Sequence, residues 1–129
     1  MIFVDSSFFT AYFNKNDQWH EKSLNVANII KHREKVISNL IISETVTNIG
    51  SLLRGKAGNT AYNHLIKNYK VFYATKNRTN IAMKIYLKYD GVLSLADSLS
   101  LQIMKENNII EIASFDTDFD KVKGILRVH

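Results

Sequence analysis

Ser114-Phe115-Asp116-Thr117-Asp118-Phe119-Asp120 follows an apolar run, Ile109, Ile110, Ile112 and Ala113. The run has the content and length of a buried strand. Three carboxylates then arrive at i, i+2 and i+4, where that strand would end. Ligand crevices in open α/β sheets form at the carboxyl ends of parallel strands. Aspartates this close repel one another. Two readings fit the stretch. One is an acidic turn in which Asp116 caps a short segment from Phe119 to Val122, since Asp is a common turn and cap residue. The other is a cation site, which needs clustered oxygen ligands.

Outward from this stretch, strand-like and helix-like segments alternate. Strands are expected at 1–4, 36–38, 70–74, 109–113 and 124–128. Helices are expected at 8–13, 18–32, 41–53, 60–68, 78–89 and 95–104, from the 3.6-residue spacing of their apolar positions. Residues 54–59, basic and glycine-bearing, read as a loop without the spacing of a nucleotide-binding P-loop. The alternation predicts a three-layer α/β/α sandwich around a central parallel sheet of about five strands. The chain of 129 residues reads as one domain, 1–129, with no repeat or linker.

Composition narrows the chemistry. Cysteine is absent, which excludes disulfides and thiolate zinc sites. Residues 1–13 lack a basic leader and are broken by Asp5, so they make a poor signal peptide. No apolar run has a membrane-spanning length. The expected location is cytoplasmic. The net charge of +5 suits a polyanionic partner such as nucleic acid, and equally a soluble protein with excess lysine. His20 and His64 have no partner at metal-ligand spacing and read as surface or packing residues.

Four acids stand at comparable places. Asp5 follows the first strand and precedes an aromatic helix carrying Phe8, Phe9, Tyr12 and Phe13. Glu44 lies in the helix after the second strand, on a face with Thr47, Asn48 and Ser51 that carries no lysine or arginine. Asn48 is one turn from Glu44 and points the same way. Asp97 opens the most apolar helix with no cation within four residues, and a buried unpaired acid is costly. Asp116 follows the fourth strand. Each alone reads as a cap, a dipole partner or a surface acid. Their joint occurrence in one small chain does not.

The opening IFVDSS, the ISETV segment, LADSLSL, and ASFDTDFD followed by Gly124 together resemble the PIN-domain family of metal-dependent ribonucleases, in particular the VapC-type toxins of prokaryotic toxin–antitoxin pairs. The resemblance spans the chain from Asp5 to the last strand. It implies that Asp5, Glu44, Asp97 and Asp116 form an acidic quartet binding Mg²⁺ or Mn²⁺. It makes Asp118 an assisting ligand and Asp120 a lower-ranked one, without separating the two. It makes Ser114, and Ser6 or Ser7, residues that orient carboxylates. The implied activity is hydrolysis of RNA leaving 5′-phosphate and 3′-hydroxyl ends. The implied partners are an RNA substrate, a second copy of the chain, and an antitoxin segment lying in an apolar groove lined by the Phe8–Phe13 and Trp19 helices. Ser98 and Ser100 depart from the small or apolar residues usual after the family's third acid.

An RNA-processing nuclease outside a toxin–antitoxin pair shares every residue named and is the alternative reading. Other classes fit less well. A non-catalytic binding module of the same fold would not need the full quartet. A haloacid-dehalogenase-type phosphatase wants Asp-x-Asp after the first strand, where Ser6 and Ser7 follow Asp5. A receiver-type domain wants an acidic pair near its first strand and a lysine after its last.

Overall fold

The computed structural model describes all 129 residues. Its strands are β1 (Ile2–Val4), β2 (Lys35–Ser38), β3 (Lys70–Phe72), β4 (Glu111–Ala113) and β5 (Leu126–Val128). They pair in parallel throughout, in the order β3-β2-β1-β4-β5. Parallel strands require crossovers, and helices supply them. The helices are α1 (Ser6–Phe13), α2 (His20–Ile30), α3 (Asn39–Leu53), α4 (Gly55–Asn68), α5 (Lys76–Lys88) and α6 (Leu95–Glu106).

The chain steps outward from β1 to β2 to β3, then crosses back to β4. With right-handed crossovers this puts α1–α4 on one face and α5–α6 on the other. The packing agrees: α1 lies against α2 and α3, α3 against α4, and α5 against α6. The result is the expected three-layer α/β/α sandwich. Covered on both faces, the central strands carry consecutive rather than alternating apolar residues. Ile2, Phe3, Val4, Val36, Ile37, Ile112 and Ala113 are all fully buried. No helix is long and apolar enough to cross a membrane.

Two expectations are corrected. Residues 55–59 are helical, because α4 begins at Gly55. The joint between α3 and α4 is Arg54 alone, with φ of 77°. Gly58 serves the contact between these helices, since a Cβ there would lie 3.2 Å from the Val46 carbonyl oxygen. The fourth strand is also shorter than its apolar run. Ile109 is buried, but its N–H donates to the Met104 carbonyl at the end of α6. Ile110 is exposed. After β4, residues Thr117–Lys121 form a 3₁₀ turn that buries Phe119, with Asp116 as its N-cap.

Because β1 is the middle strand and Phe3 is wholly enclosed, Phe3→Ala should cost about 3–5 kcal/mol of stability. Denaturant unfolding of the purified variant measures this.

Candidate active site

The strand order reverses between β1 and β4, so the crevice of the sheet opens at their carboxyl ends. Asp5 leaves β1 there, and its N–H extends the ladder to the Ala113 carbonyl at 3.0 Å. Its side chain is almost wholly buried. Two serines hold its Oδ2: Ser7 Oγ donates at 2.7 Å and Ser114 Oγ at 2.8 Å. The Ser7 N–H adds a longer contact at 3.4 Å, which makes Asp5 the N-cap of α1. Each serine hydroxyl has one proton and gives it to Asp5. Their oxygens then accept from the loop after β4. Ser7 Oγ takes the Phe115 N–H at 2.9 Å, and Ser114 Oγ takes the Asp116 N–H at 3.0 Å.

The other three acids are seated by the same logic. Ser6 Oγ donates to Glu44 Oε2 at 3.0 Å, joining the start of α1 to α3. Asp97 completes a capping box at the start of α6. Its Oδ2 accepts the Ser94 N–H at 3.1 Å, and its own N–H donates to Ser94 Oγ at 3.0 Å. Asp116 Oδ1 accepts the Asp118 N–H at 2.9 Å. A capping role therefore does not use up the carboxylate. Each acid gives one oxygen to the fold and keeps the other without a protein partner: Asp5 Oδ1, Glu44 Oε1, Asp97 Oδ1 and Asp116 Oδ2.

No lysine or arginine pairs with any of the four; the ion pairs of the molecule lie elsewhere. Burial raises the Asp5 carboxyl above the ordinary range, against the lowering effect of Ser7 and Ser114. Burial also raises Glu44; the Ser6 hydroxyl opposes this and the Asp5 charge adds to it. Asp97 is pushed up to about 6 by burial first, then by the Asp5 charge, with a smaller push from Asp116. Asp5 thus acts on Glu44 and on Asp97, and Asp116 acts on Asp97, although the four acids come from four separate places in the chain.

The PIN-domain family model matches residues 2–125. The chain belongs to the PIN-domain family. It is similar to the crystal structure of Mycobacterium tuberculosis VapC20, a sarcin-ricin loop cleaving toxin. The TM-score is 0.87 and the identity 25%, covering 99% of this chain and 98% of that one. No curated protein matches this chain.

Within this PIN domain the remaining predicted residues separate. Asp118 is half-exposed, and Lys121 donates to its Oδ1 at 2.8 Å. Asp120 has both oxygens taken by Arg127, at 2.9 and 3.0 Å. Arg127 also donates from Nη1 to the Ser114 carbonyl at 3.1 Å, fixing the serine that holds Asp5. The sequence reading missed Arg127. Its pairing crosses from the 3₁₀ turn to β5, where no periodicity links the partners. Asn48 is exposed, one turn beyond Glu44. Ser98 is buried with its hydroxyl unpartnered, while Ser100 donates to the Ala96 carbonyl, so both serines fit inside α6.

The donor set suits a hard divalent cation: four carboxylates, each with a spare oxygen and none neutralised by a base. No three of them are drawn into a ready-made cage. Mg²⁺ commonly keeps several waters in its shell and needs only a few carboxylates directly.

The Asp97 shift predicts a pH dependence. Its folded pKa of about 6 exceeds the unfolded value of 3.8, so the folded state binds more protons between the two. Stability should fall as pH rises through this window. Asp97 alone should make the metal-free protein about 1 kcal/mol more stable near pH 5 than near pH 7, solvent screening of the half-exposed group reducing the figure. Asp97→Asn should remove that share of the slope and leave the share of Asp5 and Glu44, whose carboxyls are raised in the same direction. Urea unfolding at the two pH values, with chelator present, checks both.

Proposed function

We propose that this chain is a VapC-type toxin: an endoribonuclease, one nuclease domain over its whole length, that hydrolyses RNA with Mg²⁺ or Mn²⁺. The observation that carries the reading is the set of four carboxylates, each with one oxygen fixed and one free, in which Asp5 acts on both Glu44 and Asp97 and Asp116 acts on Asp97. The family membership and the likeness to a toxin that cleaves the sarcin-ricin loop support it. Asp5, Asp97 and Asp116 hold the cation, with Asp118 assisting. Asp118 keeps Oδ2 unpartnered, whereas both Asp120 oxygens are bound to Arg127, which supports Asp118 as the auxiliary ligand.

A divalent cation held by these acids would acidify a water and neutralise charge on the leaving oxygen of a phosphodiester. The chain supplies the rest. Ser7, Ser114 and Arg127 fix Asp5 relative to the loop that carries Asp116. Glu44, held through Oε2 by Ser6, presents Oε1 to take a proton from the attacking water. Its raised pKa makes it a better base than an ordinary surface carboxylate. Attack on phosphorus with departure of the 3′-oxygen leaves 5′-phosphate and 3′-hydroxyl ends.

The chain's net charge of +5 supports RNA as the partner of a site that is itself acidic. For an antitoxin segment, a cavity of about 230 Å³ is bordered by Phe8, Tyr12, Ala27, Ile30, His64 and Tyr69. Phe9 is in the core, and Trp19 stacks on Phe115 instead of lining this groove. Exposed Leu52, Leu53, Tyr62 and Ile66 on α3 and α4 support a homodimer.

Purified protein should cleave a mixed RNA pool with Mg²⁺ or Mn²⁺ and not with chelator. Ser114→Ala, which removes one hydroxyl from Asp5, should slow cleavage about 10- to 100-fold. Asp116→Asn should slow it further, and Asp118→Asn more than Asp120→Asn. Full metal-dependent activity in Asp116→Asn would remove that residue from the site.

A further inference from the structure

The single tryptophan of the chain sits at the rim of the acidic crevice. Trp19 stacks on Phe115 with ring centroids 5.9 Å apart and an interplanar angle of 10°. Phe115 lies between Ser114 and Asp116, and its N–H is bonded to the serine that holds Asp5. The indole is therefore one stacking distance from a ring whose Cα is about 3.8 Å from that of Asp116.

Trp19 is held in place yet left open. Its backbone N–H donates to Asp17 Oδ1 at 2.8 Å, and its backbone carbonyl accepts the Ser23 N–H at 2.8 Å. His20 Nδ1 lies 2.8 Å from the Ala11 carbonyl, tying the turn back to α1. Even so, Trp19 is 38% exposed. Phe8 and Phe9 on the neighbouring helix are, by contrast, enclosed. The other group on the indole is the Lys22 ammonium, 5.1 Å from the ring centre. Lys22 forms no ion pair with an acid of the chain.

We propose that Trp19, backed by Phe115, is the stacking platform for an unpaired base of the RNA next to the cleaved phosphate, with Lys22 moving from the indole to a neighbouring phosphate. The proposal rests on the ribonuclease reading above and names its substrate as unpaired RNA. Base–aromatic stacking exceeds an exposed cation–π contact, so a base displaces the ammonium. The displaced ammonium then meets the phosphate backbone that accompanies every base. An ordered turn makes the ring available without loss of side-chain freedom on binding. Stacking tolerates any base, so the platform selects for strand openness rather than sequence.

The lone tryptophan makes its fluorescence a direct report. Asp116→Asn protein, titrated with single-stranded oligoadenylate and Mg²⁺, should show saturable quenching, and a fully paired RNA duplex should quench much less. In cleavage of an unpaired RNA, Trp19→Ala should raise KM by about 5- to 150-fold with kcat little changed. Trp19→Phe should recover most of that loss. Lys22→Ala should raise KM less and flatten its salt dependence. Wild-type KM in Trp19→Ala, or an indole unquenched at saturating oligoadenylate, overturns the platform while leaving the nuclease intact. If the wild type cleaves no RNA, the nuclease reading fails, and the quenching alone still decides the platform. Should Trp19→Ala not fold, Trp19→Phe and the quenching decide.

Discussion

The burial of one carboxylate organises this molecule. Asp5 ends the central strand inside the protein, where an unpartnered charge would be prohibitive. Two serine hydroxyls make it tolerable, and they come from opposite ends of the chain, Ser7 on α1 and Ser114 after β4. Because each serine has a single proton, each must orient it toward Asp5 and accept from the loop behind. That requirement fixes the Phe115 and Asp116 amides, and with them the direction in which Asp116 leaves the sheet. A hydrogen-bond need at the end of β1 thus sets the geometry at the end of β4.

The same economy governs the other acids. A short polar side chain at a helix start is ordinarily spent on the backbone, which is why Asp is common there. A carboxylate has two oxygens, and here one is enough for the fold. Asp97 shows this most clearly. Its capping box with Ser94 is complete, yet it is crowded by Asp5 and Asp116 and holds its proton up to about pH 6. The needs of the fold alone do not explain why an acid should be placed where it is disfavoured; the cation role proposed above would account for it.

Much of this was legible in the sequence. Alternating apolar runs gave the parallel sandwich, because strands buried on both faces leave an unmistakable apolar signature. The four acids were legible because each follows or precedes such a run. What failed was local context overruled by packing. Glycines at 55 and 58 suggested a loop, but Gly58 is small because α3 lies against it. Ile109 looked like strand, yet its amide is taken by the end of α6. Whether Asp116 was cap or ligand was posed as a choice because a sequence shows a residue and not its separate oxygens. The Trp19–Phe115 stack and the Arg127 clamp were out of reach, since neither follows from any spacing along the chain.

The Arg127 clamp also bears on how such a protein is made. Its side chain is 9% exposed and grips both Asp120 and the carbonyl of Ser114, from the last strand of the sheet. Synthesis runs from the amino end, and residues emerge at roughly 5–20 per second. Asp5, Glu44 and Asp97 therefore leave the ribosome well before the strand that seats Ser114 and completes the crevice. A nascent or truncated chain ending before Arg127 carries all four acids without the clamp on the Ser114 carbonyl. The order of translation itself delays assembly of the site until nearly the whole domain has been released from the machine that builds it.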